Sequence, residues 1–484
     1  MNERFLIGWG EEDITPENAN VELAGQYYQR IAAGIHSRIK CVTLALEKGD
    51  SRAVEVCLDV VGVSDELQNS AAAAIAEAIP ELKADEIFLN AIHTHSAPYT
   101  SSSGLFRDWL KLDPDMLAPA EYVRFLTGKI VRAVSAAWQN RAPGGIATGF
   151  GFARIGHCRR PVFADGVAQM YGDPTRKDFI GMEAGEDSGV ELLFTFDAND
   201  RPTGAVVNIP CPSQVMEATY KISSDYMGAG RELLKREFGP GFHTLCQVSA
   251  AGCQSPRDLV RHFTTEPDCW HEDGVPLLAE RMFDAVMRGY RAHGAIDRDP
   301  VFEHRVQVVA LPVRRASFTE YKKAKEELAG LLAIMPEKEA FDEFCATTHA
   351  NEAVPGRPGP YDDKEQHFVQ IQNRKAVIAR YESQDETPNY RFPMHTLRLG
   401  DTAVTTNPFE LYLHFGQIIK ARSRARQTFL VQLCASTCGY LPSPDAERFG
   451  GYGGMIINGQ VGSDGGYKLV DESVDAINQL FGAK

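Results

Sequence analysis

The sequence predicts an α/β fold, because apolar segments of strand length alternate with amphipathic helices along most of its 484 residues. The strand-like segments are rich in valine, isoleucine and phenylalanine and end at glycine, proline or aspartate. The helical segments repeat their apolar residues at helical spacing, as in Leu126, Ile130 and Val134. With 44% apolar and 24% charged residues, the composition is that of an ordinary globular protein.

Each element follows from one of these two patterns. Strands are predicted at Phe5–Gly8, Cys41–Leu46, Ala53–Val60, Glu86–Ile92, Gly145–Phe152, Val190–Phe196, Gly204–Ile209, His243–Val248, Val301–Leu311, His395–Leu399, Ala403–Thr406 and Phe429–Leu433. Helices are predicted at Glu66–Ala78, Ala120–Asn140, Gly228–Phe238, Leu277–Ala292, Glu320–Met335, Glu365–Glu382, Phe409–Ala421 and Val470–Phe481. Ser64 is the predicted N-cap of the first helix.

Two segments interrupt these patterns and are predicted to be insert loops, near residues 105–118 and 346–363. The first contains Asp113-Pro114-Asp115, and the second contains the proline- and glycine-rich run Pro355–Pro360. Loops of this length are often lids or substrate walls, and passive surface insertions are an equal alternative. The chain length alone would allow about three domains, but large α/β enzymes often form one unit.

Charge and cysteine content restrict the partners. A net charge of −15 argues against nucleic acids and anionic membranes, which need a basic surface. The N-terminus lacks the pattern of a secretory signal, and no window is apolar enough to cross a bilayer. We therefore expect a cytoplasmic protein without stable membrane association, which acts on a small molecule, with a homo-oligomer left open. The ten scattered cysteines are expected to be reduced, most of them in the core.

The strongest chemical signal is His93-Thr94-His95, directly after the apolar strand that ends at Ile92. Residues two apart on an extended segment face the same side, so both imidazoles can meet one ion. Alternatively, one imidazole binds the ion and the other contacts the substrate. A pair of exposed histidines is also common without any function.

Cys211 and Ser255 each lie in a polar segment that follows a predicted strand, where α/β sheets commonly place their sites. Cys211 could be a metal thiolate, a nucleophile or an inert buried thiol. Ser255 could donate a hydrogen bond to an oxyanion, attack the substrate, or cap a tight turn.

Glu410 follows Asn407 and Pro408, a pattern typical of a helix N-terminus, so we predict it in the first helical turn. There it is either a metal ligand or an acid that complements the helix dipole. Downstream, glycine-rich turns surround Tyr440 and Tyr452, which suits a pocket wall with phenolic donors and equally an ordinary surface loop.

Taken together, these segments resemble the neutral ceramidase family in the order and the local sequence of their motifs, from Gly8 to about Gly454. The family's motif H-T-H-S-[GA]-P matches His93 to Pro98, and its P-x-E element matches Pro408-Phe409-Glu410. The N-terminal pattern and the paired tyrosines also match, at Asp13-Ile14-Thr15-Pro16, Leu23-Ala24-Gly25, Gly34–Arg38, Tyr440 and Tyr452. Two elements depart from the family, with Cys158 before Arg159 in place of asparagine and Cys253 before Gln254-Ser255-Pro256 in place of aspartate.

The resemblance implies an α/β catalytic domain with two mixed β-sheets flanked by helices, taken here as residues 1–484. It also implies a zinc ion, with ligands at the positions of His93, Cys211, Glu410 and Tyr440. Cysteine replaces the family's histidine at Cys211. The residues around the scissile bond correspond to His95, Arg159, Ser255 and Tyr452. The Ig-like domain and signal sequence of the family are expected to be absent.

The resemblance therefore implies a zinc-dependent hydrolase of an amide or ester bond, with a small and polar substrate. Thiolate is an acceptable zinc ligand, although its charge would make the ion less electrophilic. Alternatively, Cys211 is a nucleophile or a general acid/base beside the metal, or the metal is lost. Tyr452, His95 or Arg159 would donate a hydrogen bond to the oxyanion. Ser255 would either assist by hydrogen bonding or attack the substrate directly. A metal-dependent isomerase or lyase acting on a sugar-like carbonyl compound is the competing class, and a non-catalytic binding protein is the last.

Overall fold

The computed structural model describes residues 4–17, 20–26, 29–101, 115–261, 269–352 and 366–482. Within these ranges the strands are β1 Leu6–Asp13, β2 Gly34–Ile35, β3 Lys40–Lys48, β4 Ser51–Leu58, β5 Ile87–Ala91, β6 Ala142–Pro143, β7 Gly145–Phe152, β8 His157–Cys158, β9 Pro161–Phe163, β10 Phe179–Met182, β11 Gly189–Phe196, β12 Pro202–Ile209, β13 Lys221–Ile222, β14 His243–Val248, β15 Gln254–Ser255, β16 Phe302–Pro312, β17 Asn389–Leu399, β18 Thr402–Thr406, β19 Glu410–Leu411, β20 Gln427–Val431 and β21 Tyr440–Leu441.

The same ranges contain ten α-helices. They are α1 Asp65–Ala78, α2 Pro119–Gln139, α3 Asp225–Phe238, α4 Gly274–Arg291, α5 Phe318–Ile334, α6 Glu337–Glu352, α7 His367–Ser383, α8 Leu413–Arg422, α9 Pro444–Phe449 and α10 Ser463–Leu480. Short 3-10 turns lie at Ala84–Glu86 and Ile456–Asn458. No helix in the described part of the chain is long and apolar enough to cross a bilayer.

Three sheets of four or five strands form the body of the fold, in the orders β5-β4-β3-β1-β6, β14-β12-β11-β7 and β16-β17-β18-β20. Each is mixed, because one parallel pair accompanies antiparallel neighbours: β4 with β5, β12 with β14, and β18 with β20. The predicted α/β class is therefore confirmed. The resemblance implied two mixed sheets, whereas the described residues form three mixed sheets of four or five strands.

The sheets enclose one apolar core and carry helices on their outer faces. The central core combines side chains from all three sheets, such as Trp9, Leu192 and Leu397. Helices α1 and α2 pack on the outer face of the first sheet, and α8 and α10 pack on that of the third. This layering leaves the ends of β5, β12, β14 and β18 to carry the loops in which the chemical motifs lie. That residues 1–484 form one catalytic domain stays a prediction.

Several local predictions can be compared directly with the structure. Ser64 does cap α1, since its hydroxyl accepts a hydrogen bond from the Leu67 backbone N–H at 3.1 Å. The predicted loop near 346–363 is wrong at its start, because α6 continues to Glu352. The apolar residues Phe341 and Phe344 of α6 pack against Phe368 of α7, which stabilises this helix pair. The rest of that segment, and residues 105–114 of the other predicted loop, lie outside the described residues.

All ten cysteines are free in the structure, and nine of them are buried. This agrees with the expectation of reduced, mostly internal thiols rather than a disulfide framework.

A carboxyl group lies deep in the central core, and no cationic side chain joins its hydrogen-bond network in the part of the chain that the structure describes. Glu55 on β4 accepts a hydrogen bond from the Gln247 amide at 2.7 Å, and Gln247 in turn accepts one from Asn208 at 3.0 Å. Burial raises the pKa of Glu55 to about 7, although the Gln247 hydrogen bond lowers it. The protonated acid is therefore the form that suits this position.

This burial predicts a pH-dependent contribution to stability. Because folding raises the pKa of Glu55 from 4.5 to about 7, its contribution is fully present below pH 4.5 and is lost as the pH rises through 7. Glu55→Gln removes that titration. We expect the unfolding free energy of the wild type, relative to Glu55→Gln, to fall by about 2–3 kcal/mol between pH 5 and pH 8. Urea unfolding of both proteins at both pH values measures this difference, and a pH-independent difference would contradict the assignment.

Candidate functional site

The side chains of His93 and His95 are in contact, but this contact does not arise from alternation along a strand. Strand β5 ends at Ala91, and His93 has a left-handed backbone with φ 61°. Such a conformation is strained for a residue with a side chain and is typical of functional sites. The two rings are perpendicular with centroids 4.8 Å apart, and the Nε2 atoms of His93 and His95 are separated by 3.2 Å.

Glu410 lies in the short strand β19 and not in a helix, so the predicted first helical turn is wrong. The backbone here pairs with other segments: Leu411 N–H donates to the Gln432 side chain, and Gly252 N–H donates to the Leu411 carbonyl. Helix α8 begins only at Leu413. The parallel pairing of β19 with β21 sets Glu410 opposite Tyr440, which brings two predicted ligands together.

Glu410 also faces the histidines. Its Oε2 atom lies 3.5 Å from His93 Nε2, and its carboxyl group is hydrogen-bonded with Tyr440. Burial raises the pKa of Glu410, but His93, Arg159 and Tyr440 lower it, and the net pKa is below its usual value. The carboxyl group is therefore negatively charged at neutral pH.

Several hydrogen-bond acceptors converge at this point. The Nδ1 atom of His93 is hydrogen-bonded to the Val61 carbonyl oxygen. Because a carbonyl oxygen can only accept, Nδ1 carries the proton, and the lone pair of a neutral His93 is on Nε2. That lone pair faces a Glu410 oxygen at 3.5 Å and His95 Nε2 at 3.2 Å. Acceptors this close to one another repel unless a proton on one of the ring nitrogens or a metal ion lies among them.

The donor set fits a zinc ion in part. Two ligands about 2.1 Å from a tetrahedral zinc ion are about 3.4 Å apart, close to the separation of His93 Nε2 and Glu410 Oε2. Among the described residues, however, no three His, Cys, Asp or Glu side chains converge as a complete ligand set. Of the predicted ligands, His93, Glu410 and Tyr440 lie together in this part of the structure.

Cys211 is not brought to this cluster. Its thiol is fully buried in the central core and contacts the carbonyl oxygens of Ile155 at 3.6 Å and Pro212 at 3.5 Å. Burial, followed by the nearby Asp225 carboxyl group, raises the pKa of the thiol well above its usual value. In this structure Cys211 occupies the position of a packed core thiol, although its role as a ligand or catalytic thiol stays a prediction.

Arg159 lies at the centre of the site. The antiparallel pair β8–β15 and the hydrogen bond from Arg159 N–H to the Cys253 carbonyl fix its backbone. Its guanidinium group donates to the Gly252 carbonyl at 3.1 Å, to the Tyr440 hydroxyl at 3.0 Å and to Gln214 Oε1 at 3.3 Å. The predicted residues His93, His95, Arg159, Glu410 and Tyr440 are therefore brought together.

Three residues that the sequence did not single out complete the cluster: Gln214, Glu217 and Tyr171. Gln214 Nε2 lies 2.7 Å from His95 Nε2, and Glu217 Oε2 lies 3.3 Å from His95 Nδ1. Tyr171 donates from its hydroxyl toward Glu217 at 3.3 Å. The available signal was position, since Gln214 and Glu217 lie in the same segment as Cys211 after β12.

Ser255 joins the cluster indirectly. Its Oγ atom is fully buried, accepts a hydrogen bond from the Arg257 backbone N–H at 3.1 Å, and lies 3.1 Å from the Tyr171 hydroxyl. Tyr452 joins through its ring, whose centroid lies 5.4 Å from that of Tyr440. The Tyr452 loop is held by Arg160, which donates to the carbonyls of Gly450 and Tyr452.

Burial affects both His95 and Glu217. It lowers the pKa of His95 well below 6.5, with further lowering by His93, Arg30 and Arg159. It raises the pKa of Glu217 to about 7, although Arg159, Arg30 and the Tyr171 hydrogen bond lower it. His95 is therefore neutral near physiological pH, so it cannot stabilise an anion as an imidazolium.

The fold and this cluster define an α/β protein with a buried polar site of histidine, carboxylate, arginine and tyrosine side chains. The N-terminal domain model of the neutral/alkaline non-lysosomal ceramidases matches residues 5–170. A neutral ceramidase from Pseudomonas aeruginosa is 27% identical over 230 residues, which is 46% of this chain and 32% of that protein. The match thus spans about a third of the length of that curated relative.

Two solved structures share the fold. The crystal structure of neutral ceramidase from Pseudomonas aeruginosa superposes with a TM-score of 0.69 at 18% identity, covering 99% of this chain and 75% of that chain. A ceramidase complexed with C2 superposes with a TM-score of 0.70 at 19% identity and the same coverage. The two structures show the shared fold, whereas the family-model match and the curated relative support membership of the neutral/alkaline ceramidase family. The resemblance seen in the sequence is therefore confirmed.

The position of His95 depends on a glycine behind its ring. Gly25 has φ +102°, and a Cβ atom built there would lie 2.4 Å from His95 Cγ. We expect Gly25→Ala to lower the unfolding free energy by about 2–4 kcal/mol, because both the backbone strain and the clash oppose folding. Urea unfolding followed by tryptophan fluorescence measures the change.

Gly128→Ala is the matched control. Gly128 is exposed on α2, and a Cβ atom added there would meet no atom of the described residues within 4 Å, its own helix backbone aside. Alanine at this position should therefore raise the stability by up to about 1 kcal/mol. If Gly25→Ala were as stable as Gly128→Ala, the close packing of Gly25 against His95 would be incorrect.

Proposed function

We propose that the protein is a zinc-dependent hydrolase that cleaves an amide bond in a small, polar substrate. The observation that carries this proposal is the position of His93 Nε2, which lies 3.5 Å from Glu410 Oε2 and 3.2 Å from His95 Nε2. Family membership supports the reaction class, because its members are named for the cleavage of ceramide, an amide.

The proposed zinc ligands are His93, Glu410 and Tyr440. A zinc ion bound there would polarise a substrate carbonyl and lower the pKa of a water molecule. The hydrogen bond between His93 Nδ1 and the Val61 carbonyl orients that ring and supports the choice of Nε2 as the ligand atom. Cys211 is left out of the ligand set because its thiol contacts backbone carbonyls in the core.

Arg159 is the proposed donor to the oxyanion that forms when the carbonyl is attacked. A guanidinium group can only donate hydrogen bonds, and its charge does not depend on pH in the physiological range. It already donates to the Tyr440 hydroxyl at 3.0 Å, which sets it directly beside the proposed ligands. Tyr452, whose ring packs against Tyr440, is a second phenol on the same side of the site.

His95 is proposed to act in the opposite sense, as a hydrogen-bond acceptor for the attacking water or a substrate N–H group, which would replace the Gln214 amide at its Nε2 atom. Its Nε2 atom faces His93, and its neutral state supports this role. For Ser255 we propose an assisting role rather than direct attack. Its buried Oγ atom is engaged by the Arg257 backbone and lies beside Tyr171.

The polar character of the cluster supports the choice of substrate. Arg159 contacts Gln214, and both Gln214 and Glu217 contact His95. The part of a substrate next to the scissile bond would therefore face charged and amide side chains. We propose a small-molecule partner on this basis. Ten free cysteines support a reducing compartment, and we propose the cytoplasm. An isomerase or lyase with Cys211 as acid/base receives no such support, because the thiol lies outside the cluster.

Metal content tests the ligand assignment. We expect the purified protein to contain stoichiometric zinc, and we expect His93→Ala and Glu410→Gln to lose it, since each removes one of three ligands. Amide hydrolysis should fall by about 100-fold or more in both variants and after chelation. Elemental analysis by mass spectrometry measures the metal, and release of amine from a panel of small N-acyl compounds measures hydrolysis.

Cys211→Ala is the control for this experiment, and it should keep its zinc. Loss of zinc from Cys211→Ala would restore the cysteine to the ligand set. If the wild type held no stoichiometric metal, and chelation left hydrolysis intact, the zinc proposal would be wrong.

A further inference from the structure

The guanidinium group of Arg257 is buried without an ion-pair partner in the described part of the chain. The residue is only 8% exposed, and its buried Nε atom has no hydrogen-bond partner among the described residues. Arg160, which is also buried, forms an ion pair with Glu183. Arg231 forms one with Asp59 in the same way. Because a cation taken out of water normally requires such a partner, the position of Arg257 points to a ligand of opposite charge.

Two aromatic rings hold this guanidinium group in place. The Cζ atom of Arg257 lies 5.0 Å from the ring centroid of Trp270 and 5.6 Å from that of Tyr171. The two rings pack edge to face, with centroids 5.9 Å apart and an interplanar angle of 70°. Aromatic faces attract a cation, but they do not accept the in-plane hydrogen bonds that a guanidinium group donates. The rings therefore position the cation and leave its donors available to a ligand.

Arg257 also lies close to the polar cluster described above. Its backbone N–H donates to Ser255 Oγ at 3.1 Å. The hydroxyl group of Tyr171, whose ring lies beside the guanidinium group, contacts the same Oγ atom at 3.1 Å and Glu217 Oε1 at 3.3 Å. Tyr171 therefore links Arg257 to the cluster, and a charged group a few bonds away from a scissile amide would face the guanidinium group.

We propose that Arg257 binds a carboxylate group of the substrate, and that the substrates are amides with one negative charge, such as N-acyl amino acids. The planar guanidinium group matches the two oxygens of a carboxylate and can donate to both at once. Its single positive charge matches a single negative charge, which favours a carboxylate over the dianion of a phosphate monoester. This inference deepens the proposed function and rests on it for the bond that is cleaved, whereas binding of the carboxylate needs no reaction.

Binding is tested with two ligands that have no scissile amide at the reacting position. The first is the ketone analogue of N-benzoylglycine, in which a methylene group replaces the amide N–H group. The second is the neutral carboxamide of the same ketone. We expect the purified full-length protein to bind the ketone acid about 10–100-fold more tightly than the ketone carboxamide, because hydrogen bonds between charged groups are the stronger ones. Isothermal titration calorimetry measures both affinities.

Two substitutions at Arg257 separate charge recognition from a general loss of structure. Arg257→Met removes the charge and keeps most of the apolar stem. It should lower the affinity for the ketone acid by about 10–100-fold and leave the affinity for the ketone carboxamide unchanged, which also shows that the site is still folded. Arg257→Lys should retain part of the preference, because an ammonium group pairs with a carboxylate without the bidentate geometry.

The matched control is Arg281→Met. Arg281 lies on α4 in the same neighbourhood, since its Nη1 atom contacts the Sγ atom of Cys269, the residue before Trp270, at 3.9 Å. The same Nη1 atom donates to the Arg154 carbonyl at 2.8 Å. Arg281→Met therefore removes one nearby positive charge that already has a partner, so both affinities should remain those of the wild type.

The same preference is expected in turnover. For N-benzoylglycine, compared with its carboxamide, the wild type should show a KM that is lower by about 10–100-fold with a similar kcat, because the carboxylate is bound alike in the ground state and the transition state. Arg257→Met should remove this difference in KM, and Arg281→Met should keep it. Assays of glycine or glycinamide release measure both constants.

Three results of the binding experiment would overturn the inference: equal affinity of the wild type for the two ketones, no binding of the ketone acid, or a preference that survives in Arg257→Met. Binding with the expected preference but without amide hydrolysis would support the inference and contradict the proposed function. Amide hydrolysis without any preference for the carboxylate would do the reverse. The fate of the two proposals is therefore distinguishable.

Discussion

The buried guanidinium group of Arg159 holds together the chain segments that form the site. It hydrogen-bonds to the segment after β12 through Gln214, to the segment after β14 through Gly252, and to β21 through Tyr440. A charge removed from water is tolerated only where its donors are paired, so each of these contacts stabilises the buried cation. The contact with Gln214 turns its amide toward His95, and the pairing of β19 with β21 brings Tyr440 to Glu410.

The site also illustrates how acceptors can be collected without a complete set of metal ligands. His93 and Glu410 are oriented by bonds that leave a lone pair and a carboxylate oxygen facing one another, and Tyr440 hydrogen-bonds to that carboxyl group. With Cys211 in the core, the proposed zinc ion would be held by three protein ligands. An open position of this kind is typical of catalytic rather than structural zinc sites.

The sequence predicted the α/β class and most strands and helices, because their apolar patterns are local. It also predicted His93, Glu410, Arg159 and Tyr440 as neighbours, but only through the resemblance, since nothing local links residues so far apart in the chain. The local context of Glu410 was misleading. Asn407 and Pro408 resemble a helix start, yet pairing with β21 decides the backbone there. Such long-range pairing cannot be inferred from propensity alone.

Gln214, Glu217 and Tyr171 were missed for a related reason. Glu217 stands out only when its burial is known, and burial cannot be inferred from the sequence of this segment. In the segment after β12, Cys211 was the more evident candidate for chemistry. The prediction that His93 and His95 would face the same way was correct in outcome, but a left-handed residue after the strand produces the contact. Local periodicity could not specify that turn.

The most direct test of the proposed amide hydrolysis is the reaction in water enriched in ¹⁸O. Incubation of the zinc-loaded protein with small N-acyl amides, followed by mass spectrometry, shows whether the bond is cleaved and where the oxygen goes. Hydrolysis of the amide bond predicts two products, a free amine and a carboxylic acid that carries one ¹⁸O atom. A single product with the mass of the substrate would contradict it, because isomerisation conserves mass and takes up no water.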